Sequence, residues 1–107
     1  TLIDSTGDNY LEGRDGDDIF KLSGGNDDVD GGAGADDFQF YGAFGDDLIY
    51  DFSQGDGDII TIEGPASFAA LTITQNGSDT EIAYNGNTIT LENFTATNLG
   101  AGDFVFV

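Results

Sequence analysis

Apolar residues recur at a spacing of nine along the first part of the chain. Read from Asp4, the sequence divides into DSTGDNYLE (4–12), GRDGDDIFK (13–21), LSGGNDDVD (22–30) and GGAGADDFQ (31–39). The eighth residue of each unit is apolar: Leu11, Phe20, Val29 and Phe38. The fourth is always glycine (Gly7, Gly16, Gly25, Gly34), and the sixth is Asn9, Asp18, Asp27 and Asp36. Leu2, nine before Leu11, extends the apolar ladder backwards, so the chain is expected to begin inside a repeat. A fixed internal period decides architecture before local propensity does.

Each position in the unit has a physical reading. Glycine tolerates positive φ, so the first six residues can turn tightly and expose their carbonyls. The last three form a very short strand whose middle side chain points inward and whose neighbours point out. Two units then make one full turn of a flattened coil. Equivalent loops lie 18 residues apart in sequence and about 4.8 Å apart in space, one strand spacing.

After Phe38 the spacing widens. Asp47 follows Asp36 by 11 and Asp58 follows Asp47 by 11, each with an apolar residue two places on, Ile49 and Ile60. The roll is expected to continue for two broader turns with longer corners, GAFGDDLIYDF and SQGDGDIITI. The only proline, Pro65, marks a break. Beyond it, LTITQ (71–75), TEIAY (80–84) and NTITL (87–91) alternate as strands, with Asn76-Gly77 and Asn85-Gly86 as turn signals. Such a meander cannot stand alone and is expected to cap the open end of the roll. ATNLGAG reads as a turn or a short helical turn, and the terminal DFVFV as a final strand with Phe104 and Phe106 inward. The expected fold is all-β: a parallel β-roll (β-helix) over 1–62 and an antiparallel β-meander cap over 63–107.

Charge changes the picture. Asp and Glu number 21 against 2 Lys and Arg, a formal charge of −19. Carboxylates packed this densely repel and favour an expanded chain unless cations neutralise them. A disordered acidic chain is the competing reading, but 38% of the residues are hydrophobic, with 9 Phe and 4 Tyr, enough for a core. The chain has no Cys and no His. That removes disulfides, thiolate zinc sites, the commonest transition-metal ligand and the commonest general base. The donors left are oxygens, which favour Ca²⁺ or Mg²⁺. Nucleic acid is a poor partner without Lys and Arg. No apolar run approaches the roughly 18 residues that span a bilayer. No signal peptide is visible at the start, so the chain is expected to be part of something longer.

The repeat resembles the hemolysin-type calcium-binding nonapeptide of the RTX family, G-G-x-G-x-D-x-U-x, a motif known to bind calcium in a β-helix. Gly31–Gln39 matches every fixed position. The other units depart from it: Ser5, Arg14 and Ser23 stand at the second glycine, and Asn9 replaces an aspartate. The resemblance implies that each Ca²⁺ sits between loops i and i+2, so loop 13–18 faces 31–36 and loop 4–9 faces 22–27. Implied ligands of the first cage are the carboxylates of Asp18 and Asp36 and the carbonyls of Gly13, Asp15, Asp17, Gly32 and Gly34. For the second they are Asp27, the neutral amide of Asn9, and the carbonyls of Gly24, Asn26 and the 4–9 loop. A third cage would join loop 22–27 to 42–47 through Asp27 and Asp47. Two to three ions are therefore expected.

The stretch from Phe38 to Ile62 resembles the end of the β-roll in serralysin-type secreted proteases, and DFVFV resembles the C-terminal signal of type I secretion substrates. The family implies export as an unfolded thread through the type I apparatus, folding on extracellular calcium, and a covalently linked upstream domain. The lack of Cys fits that route. A carbohydrate-binding or adhesive module is the alternative; Tyr10, Tyr41, Tyr50 or Tyr84 would contact a neutral glycan. Carboxylate-pair catalysis is disfavoured because the carboxylates fall on loop positions or solvated faces, so any catalytic domain is expected outside this chain. The Thr72/Thr74 and Thr88/Thr90 pairs are too few for an ice-binding lattice.

Overall fold

The computed structural model describes residues 2–107, with side-chain environments from Thr6 onward. Inward and outward positions alternate along the repeat strands, so Val29 is buried on Asp28–Asp30, Phe20 and Leu22 on Ile19–Leu22, and Phe38 and Phe40 on Asp37–Phe40. Strands β1 (Leu2–Ser5), β2 (Tyr10–Glu12), β3 (Ile19–Leu22), β4 (Asp28–Asp30), β5 (Asp37–Phe40), β6 (Asp46–Ile49) and β7 (Ile59–Ile62) alternate between two sheets. All pairings among them are parallel. This is the parallel β-roll.

The register follows the period. Tyr10 pairs with Asp28 and Ile19 with Asp37, while the broader corners set Leu48 opposite Asp28 and Ile59 opposite Asp37. The longer corners thus build one half-coil on each sheet, β6 and β7. The start of the ladder departs from the constant spacing: Ile3, not Leu2, lies opposite Phe20, and Leu2 lies opposite Ile19. Two adjacent apolar residues leave the register to the corner that follows, which is one residue shorter than the period.

The meander continues the sheets edge-on. Strands β8 (Thr72–Asn76) and β10 (Asn87–Leu91) each pair antiparallel with β9 (Asp79–Tyr84), and β10 also pairs in parallel with β6. The last strand, β11 (Phe104–Phe106), pairs in parallel with β7. The result is a six-stranded sheet, β2-β4-β6-β10-β9-β8, and a five-stranded sheet, β1-β3-β5-β7-β11. The ATNLGAG stretch forms short 3₁₀ turns at Ala96–Asn98 and, one residue beyond it, Ala101–Asp103.

One hydrophobic core runs through both segments, from Phe20 and Val29 to Ile89, Leu91 and Phe104. Phe20 and Phe38, on neighbouring strands, stack with ring centroids 5.3 Å apart. Fully burying a side chain of this size contributes roughly 1.5–3 kcal/mol. Phe104 is buried and Phe106 half-buried, their rings stacked at 5.7 Å. The core holds the corner loops in two stacks, one along each side of the coil.

Candidate metal centre

The first corner stack joins β2 to β3 (13–18), β4 to β5 (31–36) and β6 to β7 (50–58). The second joins β1 to β2, β3 to β4 and β5 to β6. In five of these six corners position six is an aspartate with a buried carboxyl; in the corner from β1 to β2 it is the exposed Asn9. Asp18, Asp27, Asp36, Asp47 and Asp58 are all at most 2% exposed.

These carboxylates bridge successive loops. The Asp18 amide donates to Asp36 Oδ1 at 2.9 Å, and the Asp36 amide donates to Asp58 Oδ1 at 2.9 Å. On the other side the Asn9 amide donates to Asp27 Oδ1 at 2.9 Å, and the Asp27 amide to Asp47 Oδ1 at 2.8 Å. The pairs Asp18/Asp36, Asn9/Asp27 and Asp27/Asp47 are therefore brought together across neighbouring coils.

The loops also approach closely through their backbones. A β-carbon on Gly32 would run into the carbonyl of Arg14, and one on Gly34 into that of Gly16. In the second stack Gly45 lies against the carbonyl of Gly25, and Gly24 lies over that of Thr6. The lower-loop carbonyls set against Gly32 and Gly34 are thus those of Arg14 and Gly16, which the implied ligand set did not include. Gly13 is packed against the Asp18 carboxylate and the Phe20 ring, and its amide donates to the Asp30 carbonyl at 2.8 Å. Asp15 and Asp17 are exposed in the same loop.

Position five has a side-chain role that the repeat did not announce. Asp17 Oδ1 accepts from the Ala35 amide at 2.8 Å, Asp8 Oδ1 from the Asn26 amide at 2.7 Å, and Asn26 Oδ1 from the Asp46 amide at 3.0 Å. Asp17 and Asn26 thus tie neighbouring coils with their side chains. Two further acids belong to the first stack. Asp58 accepts from the Asp36 amide through Oδ1 and from the Ser53 amide through Oδ2, the latter at 2.9 Å. Asp51 accepts from the Gly31 and Gly32 amides at 2.8 and 2.6 Å. The 22-residue step from Asp36 to Asp58 was visible in the sequence, but Ser53 and Gln54 hide the loop's kinship with the glycine-rich ones. Asp51 falls on the first position, where the repeat has glycine, and nothing in the motif marks it.

The donor chemistry fits a hard cation. Asp36 and Asp47 each retain one buried carboxylate oxygen, Oδ2, without a hydrogen bond. A buried carboxylate oxygen without a partner is costly, and a cation is the usual remedy. Burial pushes both carboxyls up to about 7, partly opposed by the amide hydrogen bond each accepts and reinforced by neighbouring carboxylates. Burial likewise raises Asp51 and Asp58, again against their amide hydrogen bonds. Both basic residues, Arg14 and Lys21, are exposed. Among the described residues no three acidic side chains converge on one point. Each facing loop pair offers two side-chain donors at position six, so a bound cation would complete its shell with backbone carbonyls. Ca²⁺ accepts such mixed oxygen sets.

No family model matches the chain, and no curated protein does. Among solved structures, the chain is similar to extracellular lipase LipA from Serratia marcescens, with a TM-score of 0.69 and 22% identity. That match covers 96% of this chain and 20% of the lipase chain, so the chain spans about a fifth of that protein. It is also similar to the AlgE6R3 subunit of the Azotobacter vinelandii mannuronan C5-epimerase, with a TM-score of 0.68 and 22% identity over 97% of this chain and 78% of that one. At this level of identity the likeness is one of fold: the roll and its terminal meander form an architecture that also occurs within larger proteins.

Proposed function

We propose that this chain is a calcium-binding RTX module of a larger secreted protein, folding on extracellular Ca²⁺ and serving that protein's export, folding and stability. The observation that carries the reading is the pair of buried carboxylate oxygens at Asp36 and Asp47, each in a stack of facing loops. Repulsion within a chain of charge −19 opposes the cation-free fold. Ion binding offsets that repulsion, so binding energy becomes folding energy.

Two to three ions are assigned. The first lies between loops 13–18 and 31–36, with Asp18, Asp36 and loop carbonyls. The second lies between 22–27 and 42–47, with Asp27 and Asp47. The third lies between 4–9 and 22–27, where Asn9 supplies a neutral amide and makes the weakest set. Any catalysis belongs to the linked domain, and the terminal Asp103–Val107 segment is the candidate signal for the type I apparatus.

Calorimetric titration with CaCl₂ should return two to three ions per chain at about 10⁻⁴–10⁻³ M, the range of extracellular modules. Asp36→Ala should lose at least one ion and shift the midpoint upward. A stoichiometry unchanged by Asp36→Ala and Asp47→Ala would remove the calcium assignment. Deleting residues 104–107 should abolish export through a type I channel; undiminished export would separate the calcium role from the secretion role.

A further inference from the structure

The outer face of the six-stranded sheet carries a second constellation, away from the corner loops. Strands β2 and β4 turn Tyr10, Glu12, Asp28 and Asp30 outward, while Tyr50 follows β6 and Glu92 follows β10. The Tyr10 and Tyr50 rings meet above β4, centroids 6.1 Å apart at 65°, and Tyr10 is 58% exposed. Their hydroxyls hydrogen-bond carboxylates, Tyr10 to Glu12 and Tyr50 to Asp28, each at 3.3 Å. Glu12 lies opposite Asp30 in register. The Tyr50 amide donates to the Val29 carbonyl, and the Glu92 amide to that of Ile49, which continues the row. From β2 through β4 and β6 to β10 the face therefore presents an acidic or phenolic group on or just after each strand, about 4.8 Å apart. Arg14, bonded to Glu12 at 3.1 Å, reaches its margin.

We propose that this face binds an ammonium-bearing polysaccharide, an aminosugar polymer laid across the strands. The Tyr10 ring is 58% exposed, and an open ring face attracts an ammonium group held within about 6 Å of its centroid. The carboxylates beside the rings pair with further ammonium groups and accept sugar hydroxyls. The exposed Tyr10 ring offers a flat apolar surface to the C–H face of a sugar, so one ligand uses both properties. An anionic polymer meets mainly repulsion here, since Arg14 at the margin is the one cation beside these carboxylates. A peptide gains less: β4, β6 and β10 are paired on both sides, so no main-chain edge is free at the centre of the face.

The test uses the whole chain in saturating calcium, with folding checked by circular dichroism for every variant. A glucosamine hexamer, an N-acetylglucosamine hexamer and hexalysine are titrated at two salt concentrations. The glucosamine hexamer should bind at least tenfold more tightly than its acetylated form and more tightly than hexalysine. The double change Tyr10→Ala/Tyr50→Ala should weaken it by about tenfold, two ring contacts' worth. Tyr10→Phe/Tyr50→Phe, which keeps the rings, should retain most of the binding. Absence of glucosamine-hexamer binding overturns the proposal. So does equal binding of the acetylated form, which would signal neutral stacking. Hexalysine binding as tightly, with no loss in the alanine variant, would reduce the face to unspecific charge attraction and overturns it too.

Discussion

Arg14 shows how much one position in a repeat can cost. It occupies the second place of its loop with φ 69°, where the equivalent Gly32 has φ 78°. A side chain in the left-handed region carries a penalty of roughly 1–2 kcal/mol that glycine avoids. The compensation is small, because its ion pair with Glu12 is exposed and such pairs contribute about 0–1 kcal/mol. Arg14→Gly should therefore raise the calcium-saturated stability by up to about 1 kcal/mol, after the greater chain entropy of glycine is subtracted. Urea unfolding at fixed calcium measures it; a loss of stability would mean that the guanidinium supports the loop. At the same scale, Asn9 would bring a neutral amide to its proposed cage. Its side-chain amide donates to the Gly7 carbonyl at 3.0 Å and so turns a local oxygen towards itself.

At the scale of elements, the roll ends through β10 and β11. β10 pairs with β6 on one side and β9 on the other, and β11 completes the second sheet beside β7. Phe104 packs against Phe68 with centroids 5.4 Å apart. Phe104→Ala should cost about 3–5 kcal/mol in the calcium-bound form, the usual range for emptying a buried Phe site, read as a fall in the urea midpoint. A change under about 1 kcal/mol would mean that β11 is not part of the cooperative unit.

Strands β2 to β5 were legible in the sequence because Gly16, Gly25 and Gly34 and the apolar Phe20, Val29 and Phe38 recur on one period. The pairing of β10 with β6 was not legible. NTITL alternates in the same way whether it pairs within a meander or also joins a parallel sheet, and only the tertiary packing of Ile89 and Leu91 decides. The role of Asp58 was hidden for a related reason: its loop keeps the carboxylate but replaces glycines with Ser53 and Gln54. The side-chain ladder of Asp8, Asp17 and Asn26 lies at a position that the motif leaves free, so no residue-type rule marks it.

For the whole molecule, the proposed calcium binding sets pH and calcium in opposition. The carboxyls of Asp36 and Asp47 lie near 7 in the fold and near 3.8 when unperturbed. Groups raised in this way stabilise the cation-free fold fully below the lower value and lose that contribution as pH rises through the upper one. Chelated protein should therefore gain β structure as pH falls from 8 to 5, whereas apparent calcium affinity should fall over the same range because protons and Ca²⁺ compete. Chelated stability that rises with pH would contradict the burial of these groups.

The most direct measurement is far-UV circular dichroism of the chain titrated with CaCl₂ from a chelated start at pH 7.5, with MgCl₂ as the control. Calcium-coupled folding requires a cooperative change from disordered to β-rich near about 10⁻⁴–10⁻³ M Ca²⁺, not reproduced by Mg²⁺, which demands a tighter octahedral shell. A chelated chain that is already β-rich, with neither spectrum nor melting temperature moved by calcium, would contradict it.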